Sequence, residues 1–219
     1  MDDALHLDPE EARCLGCLVE KAMTTPDQYP MSLNAVRIAC NQVSNRDPVV
    51  DFDETTVERA LRRLADKGLC RFVHRAGDRV VKYAHAAGEM LDLTEAQLAL
   101  LATLILRGTQ TPGELRQRTA RYVEFPSLSE VETTLEGMRD RGLLHRLDRR
   151  PGQKEHRYGE LLGTGSAASR SHAGSSTEPP GSPPARETRD EAIALVRAEL
   201  DELRARFERL LESLGVDDL

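Results

Sequence analysis

The chain has 219 residues, a formal net charge of −7 and 39% hydrophobic residues. That length allows one large or two small domains, and the excess of acid argues against a protein that coats nucleic acid indiscriminately. The sequence has no apolar run long enough to span a membrane, its first residues are acidic, and its four cysteines fit a reducing compartment as thiols. We therefore expect a cytoplasmic protein without a membrane span.

The first 50 residues predict two helices. Asp8-Pro9-Glu10-Glu11 supplies an N-cap, a proline at the first helical position and an acid three residues after the cap. Ser32 is expected to cap the second helix, and Asn45-Arg46-Asp47-Pro48 to follow its end. The apolar face of this second helix is predicted to hold Leu33, Val36, Cys40 and Val43.

A third helix is predicted from Asp53 to Lys67, with Gly68 at the position where helices end in a left-handed residue. Residues 69–73 and 80–83 are β-prone, and residues 76–78 between them favour a turn. Three helices followed by a two-stranded hairpin is the order of a winged helix-turn-helix. Residues 1–88 are therefore predicted to form a first winged-helix domain.

Residues 89–160 repeat this plan. Thr94 and Gln97 make a capping box, Thr111-Pro112-Gly113-Glu114 opens the next helix, and Ser127 caps the one after it. Strands are predicted at 143–147 and 156–158. The predicted fold class is mainly α with small β-hairpins, arranged as two tandem winged-helix domains; the alternative is one larger helical domain with coincidental caps.

The last part of the chain differs in composition. Residues 161–187 are rich in Gly, Ser, Pro and Ala and are predicted to be a flexible linker, and residues 188–219 an amphipathic helix. Its apolar residues, at alternating spacings of three and four, are Ile193, Val196, Leu200, Leu203, Phe207, Leu210 and Leu214. A helix this short needs a partner, either the same helix of a second chain in a homodimer or the chain's own winged domains.

Cys14 and Cys17 have C-x-x-C spacing, whereas Cys40 and Cys70 stand alone. A structural zinc site would need a second ligand pair, and a redox motif would begin a helix beside a strand rather than lie inside one. The cysteines are therefore predicted to be buried thiols, and no metal or cofactor is expected.

Several segments resemble one bacterial protein family. They are 15–21 (LGCLVEK), 24–30 (TTPDQYP), 32–34 (SLN), 39–42 (ACNQ) and 44–49 (SNRDPV). On these segments the chain is similar to the YceH family, with Val43 as a minor departure from the expected polar residue. The resemblance implies a tandem winged-helix fold in a family without an established biochemical role, and it supplies no catalytic or binding residues.

The outer face of the helix 53–67 is the strongest candidate site. In winged helices the third helix enters the major groove of DNA, where arginine offers a bidentate fork to guanine edges and phosphates. The residues predicted to contact DNA from this helix are Thr55, Thr56, Arg59, Arg62 and Arg63, and from the hairpin Arg75 and Arg79. The alternative is a solvated helix face that Glu58 and Asp66 partly neutralise.

The second unit has a different charge pattern. Its third helix is predicted to have an acidic outer surface that DNA would repel, formed by Glu130, Glu132, Thr133, Glu136, Arg139 and Asp140. The basic residues predicted to touch a DNA backbone from its hairpin are Arg149, Arg150 and Lys154. This mismatch favours the alternative function, a protein–protein interaction adaptor built on tandem winged helices.

Polar residues are concentrated at 41–48, between the second and third helices. Asn41, Gln42, Asn45 and Arg46 could contact phosphates, or they could simply hydrogen-bond the local backbone. No phosphate loop, dinucleotide fingerprint, zinc-protease or serine-hydrolase motif occurs, so an enzyme is not expected. The sequence therefore predicts a DNA-binding protein of the transcription-regulator type, with the protein adaptor as the alternative.

Overall fold

The computed structural model describes residues 5–74, 80–149 and 155–163, and in these residues the fold is of mixed α and β class. The first half contains α1 (Pro9–Thr24), β1 (Met31–Ser32), α2 (Leu33–Cys40), α3 (Glu54–Asp66), β2 (Cys70–Val73) and β3 (Lys82–His85). The short α4 (Ala87–Met90) follows. The second half contains α5 (Glu95–Arg107), α6 (Pro112–Thr119), α7 (Leu128–Asp140), β4 (Leu144–Leu147) and β5 (Arg157–Glu160).

The helix starts are determined locally by side-chain caps. Asp8 caps α1 and exchanges a capping box with Glu11, and Asp53 accepts a hydrogen bond from the backbone N–H of Thr56 at the start of α3. Thr94 and Thr111 cap α5 and α6 in the same reciprocal way. Two helix ends are also determined locally, because Gly68 follows α3 and Gly142 follows α7, each with a positive φ.

Each half places a short segment beside its hairpin. In the first half β1 pairs with β3, which pairs with β2, so Met31 lies opposite Tyr83. In the second half β4 pairs with β5, and Gln110 bridges Tyr158 of β5 through two backbone hydrogen bonds of 2.8 and 3.0 Å. Both segments immediately precede the second helix of their half, which extends the internal repeat to the sheets.

The core is aliphatic and runs through both halves. Helices α1 and α5 pack against each other at its centre, and the described residues of both halves belong to one compact unit. All four cysteines are buried free thiols, as predicted. The two halves also meet where Leu7 donates its N–H to the carbonyl of Leu162 at 2.6 Å.

The structure corrects three details of the predicted elements. Helix α2 ends at Cys40, so Val43 lies outside the helix and is 80% exposed rather than part of an apolar face. Val80 precedes β3 and is also exposed. Strand β1 and helix α4 were not predicted, since a two-residue strand and a one-turn helix carry no usable periodicity.

Candidate nucleic-acid interface and an arginine-lined cleft

The outer face of α3 is open to solvent over the positions of Thr55, Arg59 and Arg62. Arg62 Nη2 lies 2.7 Å from Glu58 Oε1, one helical turn earlier, with the Arg62 side chain 68% exposed. Arg59 makes no ion pair or hydrogen bond with another described residue. Thr56 is half-buried and contributes its backbone N–H to the helix cap. This face therefore offers two guanidinium groups. That of Arg59 has no ion-pair or hydrogen-bond partner among the described residues, and that of Arg62 is held by an exposed, exchangeable pair.

Arg63 has a different environment from its two neighbours. Its guanidinium lies 2.7 Å from Asp8, 2.9 Å from Glu10 and 3.2 Å from Glu11, all at the start of α1. Burial lowers the pKa of Arg63, but the three acids raise it by more, so the net shift is upward. Arg63 therefore joins α3 to α1, and the outward cluster of three arginines reduces to Arg59 and Arg62.

The remaining predicted DNA contacts lie partly within and partly outside the described residues. Arg149 is exposed, and its Nε donates a hydrogen bond of 3.1 Å to His156 Nε2. Arg75, Arg79, Arg150, Lys154 and the predicted dimerisation residues of 188–219 lie outside the described residues. On α7, Glu130 and Glu132 are exposed, and the exposed Asp140 forms an ion pair of 2.8 Å with Arg139, so the acids of its outer face are partly neutralised.

The polar segment 41–48 has two separate roles. Asn41 holds the loop before α3, because its side chain donates to the carbonyl of Phe52 and accepts from its N–H, both at 2.9 Å. Arg46 is buried and forms an ion pair with Glu20, with Nη2 2.7 Å from Oε2. Arg46 also donates to the Ala39 carbonyl at 3.0 Å. For both residues the hydrogen bonding is internal to the protein.

Several contacts of this segment join the two halves. The N–H of Asp47 donates to the carbonyl of Leu106 at 2.8 Å, and Arg107 donates to the side-chain oxygen of Asn45. Arg121 pairs with Glu20, the same carboxylate that Arg46 holds. Glu20 thus links one arginine from each half.

Beside these contacts lies a polar cleft of about 530 Å³. Its guanidinium groups come from both halves. The arginines that line it are Arg46, Arg107, Arg118 and Arg157. A second, mainly apolar cavity of about 290 Å³ adjoins it, sharing Asp47, Gly108 and Thr109. Arg13 lines this second cavity and donates to the carbonyl of Pro48.

The pKa values of two carboxylates near the junction are shifted in opposite directions. Burial favours the neutral form of Glu20, but the hydrogen bond and charge of Arg46, with Lys21 and Arg121, outweigh it and lower its pKa. Burial raises the pKa of Glu160, and the N–H groups of Gly163 and Leu162 offset only part of that effect. Within the described ranges, no group of three His, Cys, Asp or Glu side chains is placed to hold a metal ion, and no helix is long and apolar enough to cross a membrane.

The cleft was not predicted from the sequence. Its residues come from three separate parts of the chain, 45–47, 107–118 and 157, so no local motif contains them. The one available signal was the density of arginine after α5, at Arg116, Arg118 and Arg121.

The fold and site define a mixed α/β protein of two similar halves, with an open helix face in the first and an arginine-lined cleft at their junction. A family model described as "Protein of unknown function, DUF480" matches residues 7–153. A UPF0502 protein of Koribacter versatilis is 50% identical over 160 residues, covering 72% of this chain and 74% of the relative. The UPF0502 protein YceH of Escherichia fergusonii is 41% identical over 222 residues, covering 96% and 98%. The chain belongs to this YceH/UPF0502 family, which confirms the resemblance drawn from its sequence.

Proposed function

We propose that the protein is a cytoplasmic DNA-binding protein whose two halves are winged helix-turn-helix units. The observation that carries the proposal is the exposed outer face of α3, in a half that also has two preceding helices and a hairpin following it. In this arrangement the third helix enters the major groove and the hairpin lies over the phosphate backbone.

Arg59 and Arg62 are the groove-reading side chains in this proposal. Arg59 has no partner among the described residues to give up, and the exposed Glu58–Arg62 pair contributes little to stability and exchanges readily for a phosphate or a guanine edge. Thr55, one turn before Arg59, adds a hydroxyl to the same face. Arg63 is excluded from the contact set because three acids hold it against α1.

The test is fluorescence anisotropy of a mixed-sequence duplex pool with the full chain, at low salt and again at physiological salt. We expect binding that weakens steeply with salt and is weaker in the Arg59→Gln/Arg62→Gln variant, with a salt slope reduced by about one unit for each of the two arginines that contacts a phosphate. Arg139→Gln/Arg141→Gln at the end of α7 is the matched control, because it also removes two arginines, from the corresponding helix of the second half and its C-cap. Binding equal in both variants would refute α3 as the interface.

The second half supports a second candidate function, that of a protein-binding adaptor. The observation that favours it is the acidic outer face of α7, with Glu130, Glu132 and Asp140 exposed. DNA would be repelled there, whereas a basic protein surface would be attracted. Absence of duplex binding at low salt, together with salt-sensitive binding of a basic partner that Glu130→Gln/Glu132→Gln abolishes, would favour the adaptor over the DNA-binding protein.

We also propose that residues 188–219 form a homodimer through a coiled coil, a sequence-based proposal that lies outside the described residues. Leu203 falls at a core position of the heptad and Ala205 at an outward one. Leu203→Asp in the full chain is expected to convert a dimer to a monomer in light scattering, while Ala205→Asp leaves the mass unchanged. If all three proteins have the same mass in solution, the coiled-coil proposal is refuted.

A further inference from the structure

Four arginines and one carboxylate, that of Asp47, line the cleft between the halves. Two further carboxylates pair with its arginines, so one positive charge is left over. Arg46 is paired with Glu20 and Arg157 with Glu114, at 2.7 and 3.1 Å. Arg107 and Arg118 have no carboxylate within ion-pair distance among the described residues. Their described hydrogen-bond partners are the neutral side-chain oxygens of Asn45 and Gln110.

The two arginines are half-buried and close enough to repel each other. Burial lowers the pKa of Arg107, and the charges of Arg118 and Arg121 lower it further. Arg107 ends α5 and Arg118 lies in the last turn of α6, where helix dipoles favour positive charge. That dipole effect lets the fold hold two cations together, yet it leaves most of their N–H donors unused, since each guanidinium carries five.

We propose that this cleft binds the phosphate group of a small phosphorylated ligand, with Arg107 and Arg118 as its main contacts. A planar guanidinium matches a phosphate with two parallel hydrogen bonds, and an oxyanion placed between two arginines removes their mutual repulsion. The volume of about 530 Å³ exceeds that of phosphate alone and lies in the range of small-molecule sites. Because Asn45 and Arg46 line the cleft from the first half, a bound ligand would also join the two halves.

The position of the cleft separates this proposal from DNA binding through α3. Arg107 and Arg118 belong to α5 and α6 of the second half, whereas Arg59 and Arg62 belong to α3 of the first. Either site can therefore fail without the other, and Arg71→Gln serves as a control that removes one exposed arginine belonging to neither site.

The test is isothermal titration calorimetry of the full chain with inorganic phosphate and with pyrophosphate, at an ionic strength held constant with sodium chloride. We expect saturable binding, tighter for pyrophosphate, and at least a tenfold loss of affinity in Arg107→Gln/Arg118→Gln. Arg71→Gln should bind like the unaltered protein. In phosphate-free buffer the double variant should unfold at the same or a higher temperature, because a repulsion has been removed, so a loss of binding would not reflect misfolding.

Two results would overturn the proposal of a phosphate site. One is a binding heat that sodium chloride alone reproduces at the same ionic strength. The other is phosphate affinity that is unchanged in Arg107→Gln/Arg118→Gln. A third measurement separates the two sources of phosphate. Duplex affinity that is retained by the double variant assigns the cleft to a small ligand, whereas duplex affinity lost together with phosphate binding overturns that assignment in favour of the DNA backbone.

Discussion

Gly16 of α1 lies directly against Ile105 of α5. A Cβ at position 16 would lie 2.9 Å from Ile105 Cγ2 and 3.0 Å from Leu106 Cγ, closer than side chains normally approach. Since α1 belongs to the first half and α5 to the second, the missing side chain of Gly16 lets the halves share one core.

Gly16→Ala is therefore expected to destabilise the protein by about 1–2 kcal/mol. The added methyl forces Ile105 and the buried Leu106 away from α1, at a typical overpacking penalty of about 1–3 kcal/mol, and the better helix propensity of alanine returns only part of it. Urea unfolding followed by circular dichroism measures the difference.

The matched control for this change is Gly137→Ala in α7. Apart from adjacent residues and the backbone of α7 itself, no described atom lies within 4 Å of a Cβ built there. Only helix propensity changes, so stability should rise by about 0.5–1 kcal/mol. Equal effects of the two substitutions would show that the α1–α5 contact does not depend on glycine.

The ion pair of Glu20 with Arg46 gives a second prediction. Both side chains are at least 95% buried, so Glu20→Ala leaves a buried guanidinium without its anion and is expected to destabilise the fold by about 3 kcal/mol. In a double-mutant cycle, Glu20→Met/Arg46→Met should lose less than the sum of the single changes, because no buried charge is left unpaired.

The exposed pair of Arg62 and Glu58 is the control for Glu20 and Arg46. It has a similar separation of 2.7 Å but lies in solvent, so Arg62→Ala should change stability by no more than about 0.5 kcal/mol. Comparable losses at the two sites would contradict a special role for the buried pair.

The helix starts could be predicted from the sequence because capping is local. Asp8, Asp53 and Thr111 each hydrogen-bond a backbone N–H three residues away, so a short stretch of sequence contains the whole interaction. The prediction that Val43 lies on the apolar face of α2 was wrong. Its spacing fits a helix, but spacing alone does not show that the helix ends at Cys40.

The charged sites could not be predicted in the same way. The pairing of Arg46 with Glu20, or of Arg63 with Asp8, depends on which helices pack together. An arginine stripe such as Arg59, Arg62 and Arg63 has the same sequence pattern whether its members face solvent or a neighbouring helix. Only the tertiary structure separates Arg63 from the other two.

The stability of the fold should depend on pH through Glu20. Its pKa is lowered in the folded protein, so the stabilisation is present above the unfolded value near 4.5 and is lost as the pH falls through the folded value. Glu20→Gln should therefore flatten the decrease in unfolding free energy between neutral pH and acid, measured by urea titration at a series of pH values.

Glu160 is expected to change the pH dependence of stability in the opposite direction from Glu20. Its pKa is raised by burial, so its contribution is largest below the unfolded value and decreases as the pH rises through the folded one. Glu160→Gln should remove that decrease and leave the acid limb due to Glu20 intact. The same pH profile for both variants would show that neither carboxylate controls it.

Arg63 and Arg59 should respond differently to the same substitution. Arg63→Gln breaks contacts to Asp8, Glu10 and Glu11, and since its side chain is 38% exposed we expect a loss of about 0.5–1 kcal/mol in unfolding free energy. Arg59→Gln breaks no contact with a described residue and should leave stability unchanged while weakening duplex binding. The two variants therefore separate stability from binding: duplex affinity lost in Arg63→Gln and retained in Arg59→Gln would place the DNA-binding surface on the α1 side of α3 instead of its outer face.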